Sequence, residues 1–314
     1  MNVFITGGSG FVGSHLADRL LARGDRVLVI DNFDTGRRDN LRARDGLEVV
    51  EGTIADGDLV RSLVGDFRPD LVVHAAASYK DPDDWEGDVT TNALGTAIVA
   101  RAAKEAGCER LIYFQTALCY GTNPTEQPVT LGHRLDPDSS YAISKTAGEL
   151  YLRLSGIDWV SFRLANAYGP RNISGPLPTF FSRLNEAKPC FVMDTRRDFV
   201  FINDMIDAVI MAADGSGHGT YHLSSGGDVS IKELFDATVS AIGIRLDEPV
   251  EVRPRGEDDA FTILLDPSRT RADFDGWTPE TPLAAGVAAA IAYYREYGID
   301  QTYTHLHLPS EDEH

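Results

Sequence analysis

The stretch TGGSGFVG, Thr6 to Gly13, decides the fold of this 314-residue chain. It directly follows a strand-like run, NVFIT, and opens an amphipathic segment over residues 11–23. Glycines at 7, 10 and 13 allow a tight turn, a close approach of phosphate groups to backbone N–H groups, and close helix packing, while the helix N-terminus favours anions. This succession of strand, turn and helix predicts a dinucleotide site. The alternative is a glycine-rich turn that binds nothing.

The second strand-like run, RVLVID, ends in a carboxylate, Asp31, about 20 residues after the turn. A carboxylate at this place binds both ribose hydroxyls of NAD and repels the 2′-phosphate of NADP. The sequence therefore favours NAD as the cofactor. Arg37 and Arg38 follow closely and leave NADP as an alternative.

Strand-like runs alternate with helix-length segments through the first half of the chain. The runs are VFIT, RVLVID, LVVHAA, RLIYFQT and DWVSFRLA, and the amphipathic stretches are 11–23, 58–65 (after a loop), 89–106 and 141–154. Alternation of this kind predicts βαβ units with right-handed crossovers. The predicted fold class is α/β, with a doubly wound parallel Rossmann sheet.

The alternation stops after Asn166, where the Pro- and Gly-rich text YGPRNISGPLPTFF begins. A helical stretch at 203–213 and a strand-like TYHLSS then resemble a return to the first domain. We therefore predict two domains that are discontinuous in sequence. A cofactor domain comprises 1–166 plus about 199–229, a smaller C-terminal substrate domain comprises about 167–198 plus 230–308, and 309–314 form a disordered tail.

The formal net charge of −19 makes nucleic acid and anionic membranes unlikely partners, because both repel an acidic protein. No run of about 18 apolar residues exists and the first residues enter a strand directly, so we predict a cytoplasmic protein. The three cysteines lack metal spacing, which favours reduced thiols and no metal. In such an acidic chain, Arg196-Arg197 and Arg253-Pro254-Arg255 are candidate sites for an anionic substrate, although solvated arginines are the ordinary alternative.

Tyr141 and Lys145 are four residues apart and therefore share one face of a helix. A lysine ammonium and a positively charged nicotinamide ring both favour a phenolate, so they would lower the tyrosine pKa from about 10 toward neutrality, as a general base requires. The alternative is an amphipathic helix with an aromatic residue at the edge of the core. The dinucleotide signature favours the catalytic interpretation.

Together these motifs resemble an extended short-chain dehydrogenase/reductase of the nucleotide-sugar branch, typified by UDP-glucose/galactose 4-epimerase. The resemblance extends from residue 1 to about 280 and is strongest to epimerases of bacterial surface-polysaccharide pathways. The segments that carry it are TGGSGFVG, Asp31, HAAA at 74–77, TNALGT at 91–96, QTALCYG, YAISK, RLANAYGPR and RRDFVFIND.

The resemblance implies a role for each matching position. Tyr141 would be the base, Lys145 would hold the nicotinamide ribose, and Thr116 would hydrogen-bond the sugar O4. Asn166 and Arg197 would bind the sugar diphosphate. The implied cofactor-binding residues are Gly7, Gly10, Phe11, Val12, Gly13, Asp31, Asn32, Ile54, Ala75, Ala76, Lys80, Asn92, Tyr141 and Lys145.

Four positions depart from the family pattern. Thr53 stands where many relatives have an aspartate near the adenine, and Phe201 replaces the usual His or Tyr. The glycine-rich turn before the diphosphate arginine is shortened to VMDTR. The second diphosphate arginine is out of register, so Arg253 and Arg255 compete for its role.

Ala117 and Leu118 follow Thr116 and can neither give nor take a proton. The resemblance implies that 4,6-dehydratases carry Asp-Glu at these two positions and that uronic-acid decarboxylases carry a glutamate at the second. Epimerisation at C4 needs only a base, a hydroxyl and a hydride acceptor. We therefore predict an NAD-dependent 4-epimerase, with UDP-sugars as the expected substrates. Dehydration, decarboxylation or ketoreduction, through a carboxylate from another loop in the first two cases, and a non-catalytic NAD sensor are the alternatives.

The helices predicted near 89–106 and 141–154 are those that pair across a two-fold axis in the resembled family. Small residues on them permit close packing, which predicts a homodimer through a four-helix bundle: Ala93, Ala97, Ala100 and Ala147. The alternative is that these faces only cover the sheet.

Overall fold

A parallel seven-stranded sheet forms the centre of the computed structural model, which describes residues 1–256 and 259–303. The strands in chain order are β1 (Asn2–Thr6), β2 (Arg26–Asp31), β3 (Leu47–Glu51), β4 (Leu71–His74), β5 (Arg110–Thr116), β6 (Asp158–Leu164), β7 (Asn166–Tyr168), β8 (Phe191–Met193), β9 (Arg196–Arg197), β10 (Phe199–Phe201), β11 (Gly219–Leu223), β12 (Val229–Ser230) and β13 (Glu251–Arg253). The order across the large sheet is β11-β6-β5-β4-β1-β2-β3. The predicted doubly wound α/β fold is confirmed.

Helices cover both faces of the sheet, which explains why β1, β4 and β5 read as nearly continuous apolar runs. The helices are α1 (Phe11–Ala22), α2 (Gly57–Phe67), α3 (Trp85–Asp88), α4 (Thr96–Glu105), α5 (Ser140–Ser155), α6 (Pro176–Asn185), α7 (Ile202–Ala213), α8 (Ile231–Ile242), α9 (Ser268–Asp273) and α10 (Leu283–Tyr297). Thr6 pairs in register with His74, and Thr116 pairs with Leu164. The carboxyl ends of the strands therefore meet at one edge, where ligands bind in open α/β sheets.

β3 lies in a stretch that the sequence pattern predicts to be a loop. It pairs in parallel with β2 at the sheet edge, with Val29 opposite Val49. Its side chains are mostly exposed, and Val49 itself is 39% exposed. Without a buried face, this edge strand lacks the apolar run by which the inner strands are recognised.

The predicted helix at 89–106 is a continuous helical segment of three parts. α3 leads into a π-helical segment, Val89–Gly95, which leads into α4. α5 packs beside this segment. Large apolar side chains stay exposed along the two: Trp85, Val89, Leu94, Ile143, Leu150, Tyr151 and Leu154.

The region after Asn166 forms three two-stranded pairings, β7 with β10, β8 with β13, and β9 with β12. β11 then joins the large sheet beside β6, as the predicted return to the first domain requires. One apolar core runs from Ile5 and Leu16 to Phe180 and Phe235. The two-domain division stays a prediction, and its end at 308 and the predicted tail lie outside the described residues.

A C-terminal strap at Tyr303 crosses between two loops. Its N–H donates to the Ile173 carbonyl at 3.0 Å, and its own carbonyl accepts from the Gly175 N–H at 3.0 Å. Its ring lies 5.1 Å from Lys80 Nζ, and Lys80 is paired with Asp34 at 2.7 Å. The strap thereby connects the loop after β7 with the loop after β4.

Candidate active site

The glycine turn between β1 and α1 is closed so tightly that only glycine fits. Gly7 has a φ of +65°, and a Cβ there would lie 2.7 Å from the Ala76 backbone. A Cβ on Gly13 would overlap the Gly7 carbonyl oxygen. Among the described residues, no side chain caps the N-terminus of α1 at Gly10, so its first N–H groups stay available. These donors and the helix dipole fit a pyrophosphate.

The Asp31 carboxylate is held at the end of β2 by two backbone N–H groups, from Ser9 and Phe33, both at 2.8 Å. It is buried, with 6% of its surface exposed, and burial raises its pKa although these N–H groups oppose the shift. The carboxylate lines the same cavity as the glycine turn. This arrangement fits the ribose hydroxyls of NAD.

A cavity of about 1,400 Å³ extends from the glycine turn to the loops after β7 and β8. Most of the predicted site residues lie on its wall: Gly7, Gly10, Phe11, Val12, Gly13, Asp31, Asn32, Ile54, Ala75, Ala76, Lys80, Thr116, Tyr141, Asn166, Arg197 and Arg253. Three predicted residues, Asn92, Lys145 and Arg255, are not on it.

Asn92 is fully buried behind the wall, and its amide is occupied by protein groups. Its oxygen accepts from the Ser78 N–H at 2.9 Å, and its nitrogen donates to the Ser78 carbonyl at 3.0 Å and to the Ser144 hydroxyl at 3.1 Å. It therefore braces the loop after β4, where the sequence predicts a cofactor contact. Arg255 is exposed and donates to the Asp259 carbonyl at 2.7 Å.

Lys145 lies one turn after Tyr141 on α5 and is buried. Its Nζ is 4.1 Å from the centroid of the Tyr113 ring, and burial lowers the pKa of Lys145 to about 7, an effect that Glu149 opposes. Glu149 itself is paired with the buried Arg163 at 2.7 Å.

Burial raises the pKa of Tyr141, and the nearby Tyr79 and Asp88 raise it further. The prediction that Lys145 and a bound nicotinamide ring together lower this pKa stays a prediction, because among the protein's own groups burial dominates and raises it. Removal from water disfavours the charged phenolate, and the depth of burial cannot be read from the spacing of two residues along a helix.

Thr116 ends β5 at the cavity wall, and its hydroxyl accepts a bond from the Leu118 N–H at 3.1 Å. That bond leaves the hydroxyl proton available toward the cavity. Ala117 and Leu118 line the same wall, as predicted from the sequence. This part of the wall supplies one hydroxyl and two aliphatic side chains.

Arg197 lies on the cavity wall and is paired with the Asp259 carboxylate. Its Nη1 donates to the main-chain carbonyls of Arg196 at 2.7 Å and Ala260 at 2.9 Å. Arg253 also lines the cavity, 4.0 Å from the centroid of the Phe191 ring, and its guanidinium donates to the Glu251 carboxylate at 2.9 and 3.0 Å. Two arginine side chains therefore line one cavity, which fits the binding of a diphosphate.

Two departures from the family pattern differ in their relation to the cavity. Thr53 lines it, whereas Phe201 is 7% exposed, stacks edge-on against Tyr168 at 5.6 Å and is absent from the wall. Phe201 thus serves the core.

Several wall residues are missed by sequence reasoning. Tyr79 lies outside the quoted motifs, and Gln115 opens QTALCYG but was assigned no role; its Nε2 has no hydrogen-bond partner among the described residues. Asp138 lies three residues before Tyr141, and its Oδ2 accepts from the Thr122 N–H and hydroxyl at 2.8 and 2.7 Å. The short polar stretch before YAISK was the available signal for Asp138.

In the described part of the chain, no three His, Cys, Asp or Glu side chains are grouped as metal ligands. No helix within residues 1–256 and 259–303 is long and apolar enough to cross a membrane.

Residues 3–223 match the model of the NAD dependent epimerase/dehydratase family. The chain is 34% identical to a UDP-glucose 4-epimerase of Mycolicibacterium smegmatis over 94% of this chain and 99% of that one. It is 58% identical to the Bordetella bronchiseptica enzyme WbmH, solved in complex with NAD+, with a TM-score of 0.93 over 95% of this chain and 99% of that one. The B. bronchiseptica enzyme WbmG, solved with NAD and UDP, is 43% identical, with a TM-score of 0.90 over 98% and 99% of the two chains.

Proposed function

Because the chain belongs to the NAD dependent epimerase/dehydratase family, we propose that it is an NAD-dependent 4-epimerase of nucleotide sugars, with a UDP-sugar as substrate. The observation that carries the proposal is the wall formed by Thr116, Ala117 and Leu118 in the cavity that also holds Tyr141. This wall has the groups for oxidation and reduction at C4 and has no side chain for elimination.

NAD is the proposed cofactor because the glycine turn and Asp31 form one continuous cradle. When bound, it supplies hydride acceptance from C4 and hydride return to C4. The protein's own part is proton handling. Tyr141 takes the O4 proton and later returns it, and the Thr116 hydroxyl holds O4 in position. The positive nicotinamide ring opposes the rise in the Tyr141 pKa that burial causes.

Arg197 and Arg253 are proposed to hold the diphosphate, with Asn166 beside them. A fixed diphosphate leaves the sugar end free to turn, so that its two faces are presented in succession. We propose that Lys145, one turn after Tyr141 on α5, holds the nicotinamide ribose. Burial of its ammonium lowers the pKa of Lys145, which makes its charge responsive to a bound anion or cation.

The second candidate is dehydration or decarboxylation, and Asp138 is the observation that favours it. This carboxylate comes from another loop and lines the same cavity. Among similar proteins, an Arabidopsis thaliana UDP-glucuronic acid decarboxylase is 27% identical over 94% of this chain. Asp138 is exposed and already accepts two bonds from Thr122, so we rank epimerisation first.

The test is incubation of the protein with a panel of UDP-sugars in heavy water, followed by mass spectrometry and proton NMR. We expect a product of unchanged mass with inverted C4, no requirement for added NADH, and no deuterium at C4. A product lighter by water or carbon dioxide would establish the second candidate. Stoichiometric consumption of reduced cofactor would instead indicate a ketoreductase.

We further propose that the protein is a cytoplasmic homodimer. The support is the exposed apolar stripe on α3, the π-helical segment and α5, where Ile143, Leu150 and Leu154 lie at helical spacing. Ala93, Ala97 and Ala147 are partly exposed between these side chains and permit close approach, whereas Ala100 is buried. The strongly acidic charge supports the absence of nucleic acid and anionic membrane as partners.

A further inference from the structure

Gln115 is a buried amide of the cavity wall that the proposed chemistry does not use. Only 1% of its surface is exposed, and it lines the cavity. Its Oε1 accepts from the Thr116 N–H at 2.8 Å, whereas its Nε2 has no hydrogen-bond partner within residues 1–256 and 259–303. An unpaired buried donor destabilises a folded protein, so a donor of this kind beside a ligand cavity needs an explanation.

The contact with Thr116 determines which end of the Gln115 amide is the oxygen. A main-chain N–H can only donate, so the end of the amide that meets it must be the acceptor, Oε1. The nitrogen is therefore at the other end, and an amide nitrogen can only donate. The partner that Nε2 lacks is thus an acceptor, such as a hydroxyl or carbonyl oxygen.

The side chain of Gln115 lies on the face of β5 that packs against α5. Residues two apart on a strand share a face, so Gln115 shares its face with Tyr113. The Tyr113 hydroxyl donates to the Lys145 carbonyl at 2.9 Å. The Lys145 Nζ lies 4.1 Å from the centroid of the Tyr113 ring. Gln115 is therefore on the side of the sheet that carries the helix of Tyr141.

Gln115 and Tyr141 lie at the same level of the layer that β5 and α5 form. α5 follows β5 and leads back to β6, which is parallel to β5, so the helix runs opposite to the strands. Tyr141 precedes Lys145 by four residues, about 6 Å along the helix axis. Gln115 follows Tyr113 by two residues, about 6.6 Å along the strand. The two steps have nearly the same length, and both end on the cavity wall.

The position of Gln115 favours the sugar over the cofactor as its partner. Thr116, the next residue, would hold O4 of the sugar, and Tyr141, at the same level, is the proposed base. The cofactor cradle begins at the carboxyl ends of β1 and β2, and β4 lies between these strands and β5. A ligand oxygen that meets Nε2 therefore belongs to the part of the sugar around C4.

We propose that Gln115 is a specificity-determining residue: its amide nitrogen donates a hydrogen bond to an oxygen of the sugar near O4, on C3 or C6. The proposal rests on the proposed function, in which C4 of a sugar is held beside Thr116. A sugar with an acceptor at that place pairs the buried nitrogen, whereas a sugar without one leaves it unpaired. Sites of this kind discriminate strongly against the analogue that lacks the partner.

The test replaces Gln115 by methionine, which has a similar length and cannot donate. Calorimetry measures the binding of UDP, NAD and a panel of UDP-sugars, the UDP ligands to NAD-loaded protein. All proteins carry Tyr141→Phe, so that turnover does not change the ligand. We expect the affinity for at least one UDP-sugar to fall about tenfold, the scale of one hydrogen bond, with the affinities for UDP and NAD unchanged.

Gln127→Met is the matched control, because both ends of the Gln127 amide are bonded to the protein. Its Nε2 donates to the Thr262 carbonyl at 2.9 Å, and its Oε1 accepts from the Leu264 N–H at 2.7 Å. Gln127 is exposed and is not on the cavity wall. The same substitution at this position should leave every affinity unchanged.

Deoxy analogues of the UDP-sugar most affected locate the oxygen. Protein with Gln115 should bind either the 3-deoxy or the 6-deoxy form about tenfold more weakly than the parent sugar, whereas Gln115→Met should bind that form and the parent equally. These measurements need no turnover. They therefore test the role of Gln115 even if no UDP-sugar is epimerised and the proposed function fails.

Affinities of Gln115→Met equal to those of Gln127→Met for every UDP-sugar would overturn the proposal. An equal loss of affinity for UDP, or a loss for NAD, would also overturn it, since the partner of Nε2 would then lie outside the sugar. A lower Tm with unchanged affinities would make Gln115 a brace for the Thr116 main chain alone. If Gln115→Met does not fold, Gln115→Leu, which also lacks the donor, takes its place.

Discussion

At the scale of single residues, the Tyr141 hydroxyl has the most specific proposed role. Tyr141→Phe should keep the fold and NAD binding, because the ring and its packing remain. Turnover should fall by about 10²–10⁴-fold, the contribution of a positioned general base. Steady-state kinetics with the UDP-sugar identified in the substrate panel measures the loss, and calorimetry with NAD is the control. A variant that keeps a tenth of the activity would place the base elsewhere.

Arg197 and the Arg253–Arg255 pair give a second prediction at this scale. Arg197→Ala should weaken UDP binding by roughly 2–4 kcal/mol, the range for truncating one member of a buried charge pair, and leave NAD affinity nearly unchanged. Arg253→Ala should act in the same direction, whereas Arg255→Ala should have little effect, because Arg255 is exposed and off the cavity wall. Calorimetric titration with UDP and with NAD decides between them, and equal effects of the last two variants would contradict the assignment.

The pKa of Tyr141 and the position of Asn92 show where residue-level prediction stops. The spacing of Tyr141 and Lys145 fixes that they share a helix face, and the glycine pattern fixes where the cofactor cradle begins. Burial depth depends on the other elements that pack around α5, so the direction of the pKa shift was not accessible from spacing. Asn92 was placed on the correct segment, but its amide turns to the Ser78 loop.

At the scale of elements, a buried ion pair fastens α5 to β6. Arg163 Nη2 and Nε donate to Glu149 at 2.7 and 3.2 Å, and Arg163 Nη1 donates to the Tyr120 hydroxyl at 2.6 Å. The side chains of Arg163 and Glu149 are 4% and 1% exposed. The pair therefore lies in the core directly beneath the helix that carries Tyr141.

Arg163→Met should lower the free energy of unfolding by roughly 3–5 kcal/mol, because it removes the buried cation that pairs with the buried Glu149 and leaves only the half-exposed Arg153 and the Ser161 hydroxyl as its partners. Urea denaturation measures the change. Arg153→Met is the matched control: Arg153 also binds Glu149, at 3.0 Å, but is 45% exposed, so its loss should cost about 1 kcal/mol or less. If both variants lose the same stability, burial does not determine the strength of this network. The double variant Glu149→Leu/Arg163→Met should recover part of the loss.

The strands β1, β4 and β5 are predictable from the sequence, because each is an apolar run that is buried on both faces of the sheet. β3 was not predictable in the same way, because an exposed edge strand carries no such run. The π-helical segment Val89–Gly95 was predicted as an ordinary helix, since its apolar periodicity does not distinguish the two windings.

At the scale of the whole molecule, the exposed apolar stripe on α5 predicts assembly. Leu154 is 75% exposed, so Leu154→Arg should leave the monomer stable and convert the proposed dimer to monomer. Light scattering after gel filtration measures the molar mass. Val49→Arg, an exposed position on the edge strand β3, is the control and should keep the wild-type mass. A monomeric wild-type protein, or a dimer that survives Leu154→Arg, would refute this surface as the interface.

The strap at Tyr303 joins the loop after β7 to the loop after β4, and both loops carry residues of the cavity wall, Gly175 and Lys80 among them. We expect this connection to slow the release of NAD. Tyr303→Pro removes the N–H that donates to Ile173. We expect wild-type protein to retain NAD through prolonged dialysis, and the proline variant to lose it and regain activity when NAD is added. The off-rate of NAD, followed by stopped-flow displacement, would then report on a residue near the end of the chain, remote in sequence from the glycine turn that binds the phosphates.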